Sequence, residues 1–455
     1  MSPACRVGVR LWRVTAVVTV TLAALGCRSS ARWSAMAPDH RTTVTVSSRG
    51  GRSCVVVATR RDACVDGMAV RTLAFDSSGA HVAYAARVGD RWTVVRDGIS
   101  GARWDGVGAP RLSRDGARLA YPALENGRWR VVVEGVAGDA FDAILSGTLT
   151  FDPTGRRVVF AASRGDSVHV VVDGVTSPGW SGVGRLAFDG EGAHVAYAAR
   201  RGVRWRVIVD DQPGPEHDEI GQVVLGSASV LRGDGADGAD SRAAMRLAYA
   251  ARDSARWRVV AEGNPSEPFD AVRALVHPPN GEAIAFIARL GEREGVVRGG
   301  RIEGWHDSVE PPAFSPDGRW GYVARDGDSV SVIVDGRVAA RAPGITDLVF
   351  GRGGRQAYVT GEGERMVVVD EQTRHAFDLV VTGTLQFVGG GTVWACLAGD
   401  RVRRELFVVV DGVRVGRPFD WSEIVRQMQD GDGAAAVRAW VVAEAERAIG
   451  TTKAR

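Results

Sequence analysis

Lysine is almost missing from this chain: Lys453 is the single one among 57 lysine and arginine side chains. The formal net charge is only +3, and Arg6, Arg10 and Arg13 lie in an N-terminal segment read below as removed. About zero is left, which excludes the charge footprint of a nucleic-acid binder. The arginine, alanine, glycine and valine bias reads as coding composition. The signatures of common catalysts are also absent. There is no G-x-S-x-G elbow, no H-E-x-x-H, no paired C-x-x-C, no Walker loop, and no G-x-G-x-x-G between a strand and a helix. Helical periodicity is missing from Thr42 to Asp420, where valine-rich alternating runs bounded by glycine argue for strands. The apolar fraction of 45% argues against disorder.

Cysteines number five. Cys5 falls in the removable segment and Cys396 follows Trp394 in a strand, where a buried core thiol is expected. Cys54 and Cys64 could close a disulfide across a hairpin in an oxidising compartment, or remain two separate thiols.

The one long apolar run before residue 40 is Val14–Leu25, preceded by Arg6, Arg10 and Arg13. It has the parts of a secretory signal and is short for a membrane span. Leu22-Ala23-Ala24-Leu25-Gly26-Cys27 resembles the bacterial lipoprotein signal, with Ala24 where that signal most often has Leu. The resemblance implies acylation of Cys27, and two acyl chains suffice for stable anchoring. Ordinary secretion and cytoplasmic retention are the other readings. No Asp follows Cys27, which under the same resemblance points to the outer membrane, periplasmic side. The expected division is 1–27 signal, 28–43 flexible tether, 44–420 folded body, and 421–455 closing strands or a helical cap.

The folded body repeats. An aromatic at the centre of an apolar strand recurs at Tyr84, Tyr121, Phe160, Tyr197, Tyr249, Phe286, Tyr322, Tyr358, Trp394 and, weakly, Trp440. The period is about 37 residues, the size of a propeller or solenoid unit. Each unit holds four strand candidates. Leu186–Asp211 shows three of them: a short apolar run, an Asp/Gly turn, the Tyr197 strand, a second turn, then a β-branched strand from Trp205. The fourth carries an aromatic, most often followed by Asp, as at Trp104-Asp105, Phe141-Asp142, Phe269-Asp270, Phe377-Asp378 and Phe419-Asp420.

Four short antiparallel strands repeated nine to ten times predict an all-β fold, a β-propeller. Trp92, Trp129, Trp205 and Trp257, at the start of third strands, are expected to pack between blades. Phe314-Ser315-Pro316-Asp317-Gly318, and nearly so Phe151-Asp152-Pro153-Thr154-Gly155, resemble the repeat of TolB-like and WD-repeat-like bacterial propellers. That resemblance covers roughly Val44–Asp420 and implies a fold more than an activity.

The ends are out of phase. Spare third and fourth strands, Cys54–Val57 and Ala63–Asp66, precede the first full unit, and Val437–Val442 offers an aromatic strand after the last. Joined, they would complete a composite blade and close a single ring. Two smaller propellers, or a helical cap over Trp421–Ile449, are the alternatives.

Gly233–Asp240 alternates Gly and Asp, so Asp234, Asp237 and Asp240 are weak calcium candidates. The bidentate glutamate is missing and a solvated loop fits better. His81 and His194 share one repeat position, which argues structure. A functional site should lie where a unit departs from the repeat, at Gln212–Glu219, Arg232–Ser241 or Arg289–Arg301. No cofactor and no nucleic acid is expected. The expected protein is a monomeric envelope scaffold binding an unknown protein or ligand. An enzyme with channel-side carboxylates (a lyase or glycan hydrolase) and an inert structural protein are the alternatives.

Overall fold

The computed structural model describes residues 19–20, 32–36, 42–49, 52–227, 245–278, 283–342, 344–371, 373–420 and 433–453. Cys27 and the Asp234, Asp237, Asp240 loop lie outside the described residues.

Ten antiparallel sheets follow one another along the chain. The fifth shows the plan: Gly182–Phe188, Val195–Arg201, Arg204–Val209 and Gln212–His217 pair in that order. In several blades the first strand is split, as where Ala143–Ile144 and Thr150–Phe151 both pair with Val158–Arg164. Third and fourth strands meet in two-residue turns with both residues at positive φ. Asp97 (φ 50°) and Gly98 (φ 85°), or Asp173 (51°) and Gly174 (85°), are examples. That geometry matches the strand twist and explains the recurrent Asp-Gly.

In most blades the second strand is buried on both faces, which is why Val195–Ala199 reads as an unbroken apolar run. Alanine at every other place lets sheets approach; the aromatic fills the gap. Successive blades are joined by separate apolar clusters. Val44, Val55 and Tyr84 join the first to the second; Val94, Trp104 and Tyr121 the second to the third; Val359, Trp394 and Cys396 the ninth to the tenth. Each fully buried valine or aromatic contributes about 1.5–3 kcal/mol. This serial packing of four-stranded sheets, ten of them among the described residues, is a β-propeller.

The ends depart from the expected composite blade. The first sheet is built from N-terminal residues alone. Arg32–Met36 and Thr43–Arg49 precede Arg52–Val57 and Arg60–Val65, and Thr19–Val20, within the segment read as signal, pairs at its edge; cleavage before Cys27 would remove that pair and leave four strands. Arg32–Met36, within the segment read as tether, is therefore a strand. The tenth sheet ends at Asp420. Val437–Val442 lies in a helix, α1 (Gly433–Lys453), not in a closing strand. The reason is its period: Val437, Val441, Ala445 and Ile449 fall four apart on one face, among good helix formers. They cover Ala395, Leu397, Leu406 and Val408 of the tenth blade, an apolar face that an eleventh sheet would otherwise have to cover.

Candidate functional site

Most of the chemistry-bearing residues that recur in the sequence are engaged at blade interfaces. The fourth-strand aromatic lies against the second-strand aromatic of the next blade. Phe141 meets Phe160 edge-on at 6.0 Å and Phe269 meets Phe286 at 5.9 Å between ring centroids. The Asp that follows caps the next hairpin: Asn126, Gly165, Gly291 and Gly327 donate their N–H to Asp105, Asp142, Asp270 and Asp307 at 2.7–2.8 Å. Arg91 and Arg256 pair with Asp105 and Asp270 from the other side.

The turn carboxylates are spent in the same way. Asp97, Asp173 and Asp210 accept the first N–H of their second strand from Val82, Val158 and Val195 at 2.8–3.0 Å. Each also meets a basic side chain: His81 at 2.8 Å, Arg157 at 3.2 Å and His194 at 2.5 Å. Arg319 holds Asp335 at 3.0 Å in an eighth-blade copy of the pair. His81 and His194 therefore occupy a slot that arginine fills elsewhere. Trp205 and Trp257 are half-buried beneath Arg200 and Arg252 of their own sheets, 5.5 and 5.7 Å from the ring centroids, rather than packed between blades.

Cys54 and Cys64 are cross-strand partners in the first sheet and are joined by a disulfide. Cys396 is a fully buried free thiol, and burial pushes its pKa well up; such a thiol is no nucleophile.

Of the three stretches expected to depart from the repeat, two are ordinary strands. Gln212–His217 is a complete fourth strand; Pro213 and Pro215 fit there because an outer strand needs hydrogen bonds on one edge only. Arg293–Arg298 is a regular third strand. Arg232–Ser241 lies outside the described residues.

The first departure falls inside the Gln212–Glu219 stretch, at His217. Histidine replaces the fourth-strand aromatic twice. His217 Nδ1 lies 2.7 Å from Asp253 and its Nε2 3.4 Å from the Tyr249 hydroxyl. His306 Nδ1 lies 2.7 Å from Asp326, with its ring 6.0 Å from Tyr322. Each histidine still fills the interface slot, so the pair reads first as packing. Alignment to Phe269-Asp270 would have revealed His306.

A second departure is on the first strands. Burial holds the carboxyls of Glu310 (eighth blade) and Asp347 (ninth blade) above their usual range, and Asp347 pushes Glu310 up further. Asp347 accepts the Gly383 N–H of the tenth blade at 2.6 Å. It is thus engaged as an inter-blade link. Among the described residues no group of His, Cys, Asp and Glu is arranged to hold a metal.

The third departure is a cavity of about 440 Å³ between the fourth and fifth blades, lined by Arg157, Val172, Val195, Tyr197, Asp210 and Asp211 among others. Sequence reasoning passed over Asp211, although it stands where neighbouring repeats have glycine.

The fold and these interfaces define a β-propeller repeat protein. No family model matches the chain, and no curated protein matches it. Among solved structures it is similar to a eukaryotic initiation factor at 12% identity, over 74% of this chain and 95% of that one, with a TM-score of 0.42. It is similar to the Dos1 propeller at 10%, over 71% and 88%, with a TM-score of 0.33. TolB from Acinetobacter baumannii aligns at 14%, over 60% and 61%, with a TM-score of 0.24. At such TM-scores these likenesses carry no argument, and the assignment rests on the sheets themselves.

Proposed function

We propose that the protein is a lipid-anchored binding scaffold of the cell envelope. The observation that carries the binding role is the use of the repeat chemistry. Aromatic, Asp, Arg and His residues at the shared positions are engaged between blades, which leaves a rigid body with varied turns on its faces. Recognition then falls to places where single blades differ.

Export and anchoring are supported by two features. One is the Cys27 signal; the other is the Cys54–Cys64 disulfide, a bond that persists in oxidising compartments. The first-sheet strand Arg32–Met36 begins five residues beyond Cys27. Fully extended, that length spans at most about 18 Å, so acylation at Cys27 would hold the first blade close to the bilayer surface. Among the described residues no helix is long and apolar enough to cross a membrane.

The test has two arms. Cys27→Ser should move the protein from the membrane fraction to the soluble one; unchanged fractionation removes the anchor. Crosslinking of the full chain in envelope preparations should give discrete adducts. No adducts, together with turnover of a glycan panel, would replace the scaffold reading with an enzymatic one.

A further inference from the structure

From the second blade to the ninth, second and third strands join through two-residue turns, such as Gly89-Asp90 and Gly363-Glu364. The tenth blade departs from this. Asp400 pairs with Glu405 at the end of its hairpin, so four residues, Arg401, Val402, Arg403 and Arg404, form the tip. All four are exposed, and Val402, at 90%, is the most exposed of the large apolar side chains among the described residues. Backbone bonds tie the loop in: Asp378 accepts the Arg401 N–H at 3.2 Å and Asp400 the Arg403 N–H at 2.9 Å. The side chains are largely uncommitted. Arg403 reaches Asp400 at 3.7 Å, a solvated pair of small worth. The guanidiniums of Arg401 and Arg404 make no hydrogen bond or ion pair among the described residues. The sign of charge is also reversed, since Asp90, Asp166, Glu292, Asp328 and Glu364 put acids at other tips.

The register shows which face this tip is on. Arg32, at the start of the first strand of the first blade, pairs with Ser47, beside the turn between Arg49 and Arg52. The chain arriving from Cys27 therefore enters at the end where second and third strands turn. Asp66, at that same end, accepts the Gly89 N–H of the next blade's tip at 2.7 Å. The same link recurs from Asp105 to Asn126 and finally from Asp378 to Arg401. The tips thus share the face at which the Cys27 segment enters.

We propose that the 401–404 tip rests on an anionic phospholipid surface, with Val402 among the headgroups and the arginines on lipid phosphates. The inference rests on the lipid-anchored reading, and two independent features meet in it: an apolar side chain bared between arginines, and an anchor entering on the same face. Guanidinium pairs with phosphate in a bidentate way. A few basic residues attract such a surface only weakly and within a Debye length, so the tip cannot hold the chain unaided. Beside an acylated Cys27 it sets the tilt of the propeller. The acids at the other tips, Glu364 of the neighbouring blade among them, are repelled by the same surface and confine the contact to the tenth blade.

The test places a solvent-sensitive fluorophore on Val402→Cys and, separately, on Val136→Cys in the full lipidated chain. Val136 is 73% exposed and starts a fourth strand, which puts it on the other face. Cys396 is buried and Cys54 is bonded to Cys64, so the introduced thiol takes the label. In vesicles containing phosphatidylglycerol and nitroxide-bearing lipid, the label at 402 should be quenched about twofold or more beyond the label at 136. The difference should vanish in pure phosphatidylcholine and on adding Arg401→Glu with Arg404→Glu. Equal quenching at the two sites, no dependence on phosphatidylglycerol, or quenching that survives the charge reversal would each overturn the proposal. Crosslinking of position 402 to an envelope protein without lipid quenching would give the tip to that protein instead. The anchor fails separately: without acylation the chain does not stay with vesicles on its own, yet vesicles in excess must still quench 402 over 136.

Discussion

The Tyr84 phenol donates a 2.8 Å hydrogen bond to Asp62, across the interface of the first and second blades. The Asp62 side chain is fully buried. Burial raises its pKa, and the bonds from Tyr84 and the nearby Arg60 only partly offset this. A carboxyl whose pKa is higher folded than unfolded binds more protons when folded. Its contribution to stability is therefore complete below about pH 3.8 and is lost as pH rises through the folded value.

Asp62→Asn keeps an acceptor for Tyr84 and removes that charge. The variant is expected to melt higher than the native chain at pH 7–8, with the advantage shrinking as pH falls toward 4. Paired thermal scans across that range measure it. A difference independent of pH would show that Asp62 is not the titrating group.

The turn aspartates behave oppositely. Asp152 is 3% exposed, and burial alone would raise its pKa. Bonds from the Thr154 hydroxyl and N–H and the 2.7 Å bond from the Arg157 N–H outweigh that and bring it below its usual range. Its stabilisation is present above about pH 3.8 and disappears as pH falls through the lower folded value. Asp152→Ala should cost about 1–3 kcal/mol at pH 7 and less below pH 3, read from urea midpoints at the two pH values.

Asp270 joins three elements: Arg256 at 2.5 Å, the Gly291 N–H at 2.7 Å and, through its own N–H, the Arg289 carbonyl at 2.9 Å. Asp270→Ala leaves the backbone bond and removes the other two. Because blades contact mainly their neighbours, stability is local. Hydrogen exchange should speed up at the Gly291 turn and the sixth–seventh interface, about fivefold or more, with the second blade unchanged. A uniform change across all blades would contradict an inter-blade staple.

How much of this was legible depends on what constrains each residue. The ring slot between two sheets admits little but an aromatic, so Tyr84, Phe160 and Trp394 announce the period. Asp-Gly is readable because both residues need positive φ. The first blade was obscured because Arg32–Met36 and Thr43–Arg49 are strands without the F-x-x-x-G turn, and pairing rather than propensity makes them so. Trp205 misled because a recurrent aromatic suggests an interface, whereas an arginine on its own sheet covers it. Asp211 was invisible for a different reason: an acidic residue in a turn looks ordinary until the sign of φ and the lack of a partner are known.

The disulfide should matter locally. Cys54 and Cys64 are ten residues apart, and closing a loop of that size stabilises by about 2–3 kcal/mol in the chain-entropy picture. Replacing both by alanine should make the first blade the earliest site of limited proteolysis, while the cut sites farther along are unchanged. Free-thiol counts under denaturing conditions check the bond itself: one reactive thiol, Cys396, is expected in the folded body before reduction and three after.

The helix α1 makes the strongest demand on the far end. Val441 is fully buried, between Val437 and Ala445 on the face that covers Leu397 and Leu406. A carboxylate there would be buried without a partner or would force the helix off. Val441→Asp is therefore expected to cost about 2–4 kcal/mol, confined to the tenth blade by nearest-neighbour packing. Undocking would bare an apolar sheet face, so the variant should also self-associate at concentrations where the native chain is monomeric, as light scattering would show. Val441→Leu, which keeps the face apolar, should do neither. If Val441→Asp stays monomeric with unchanged exchange in Val393–Val410, then α1 does not cap the propeller, and something other than this helix must cover its last sheet.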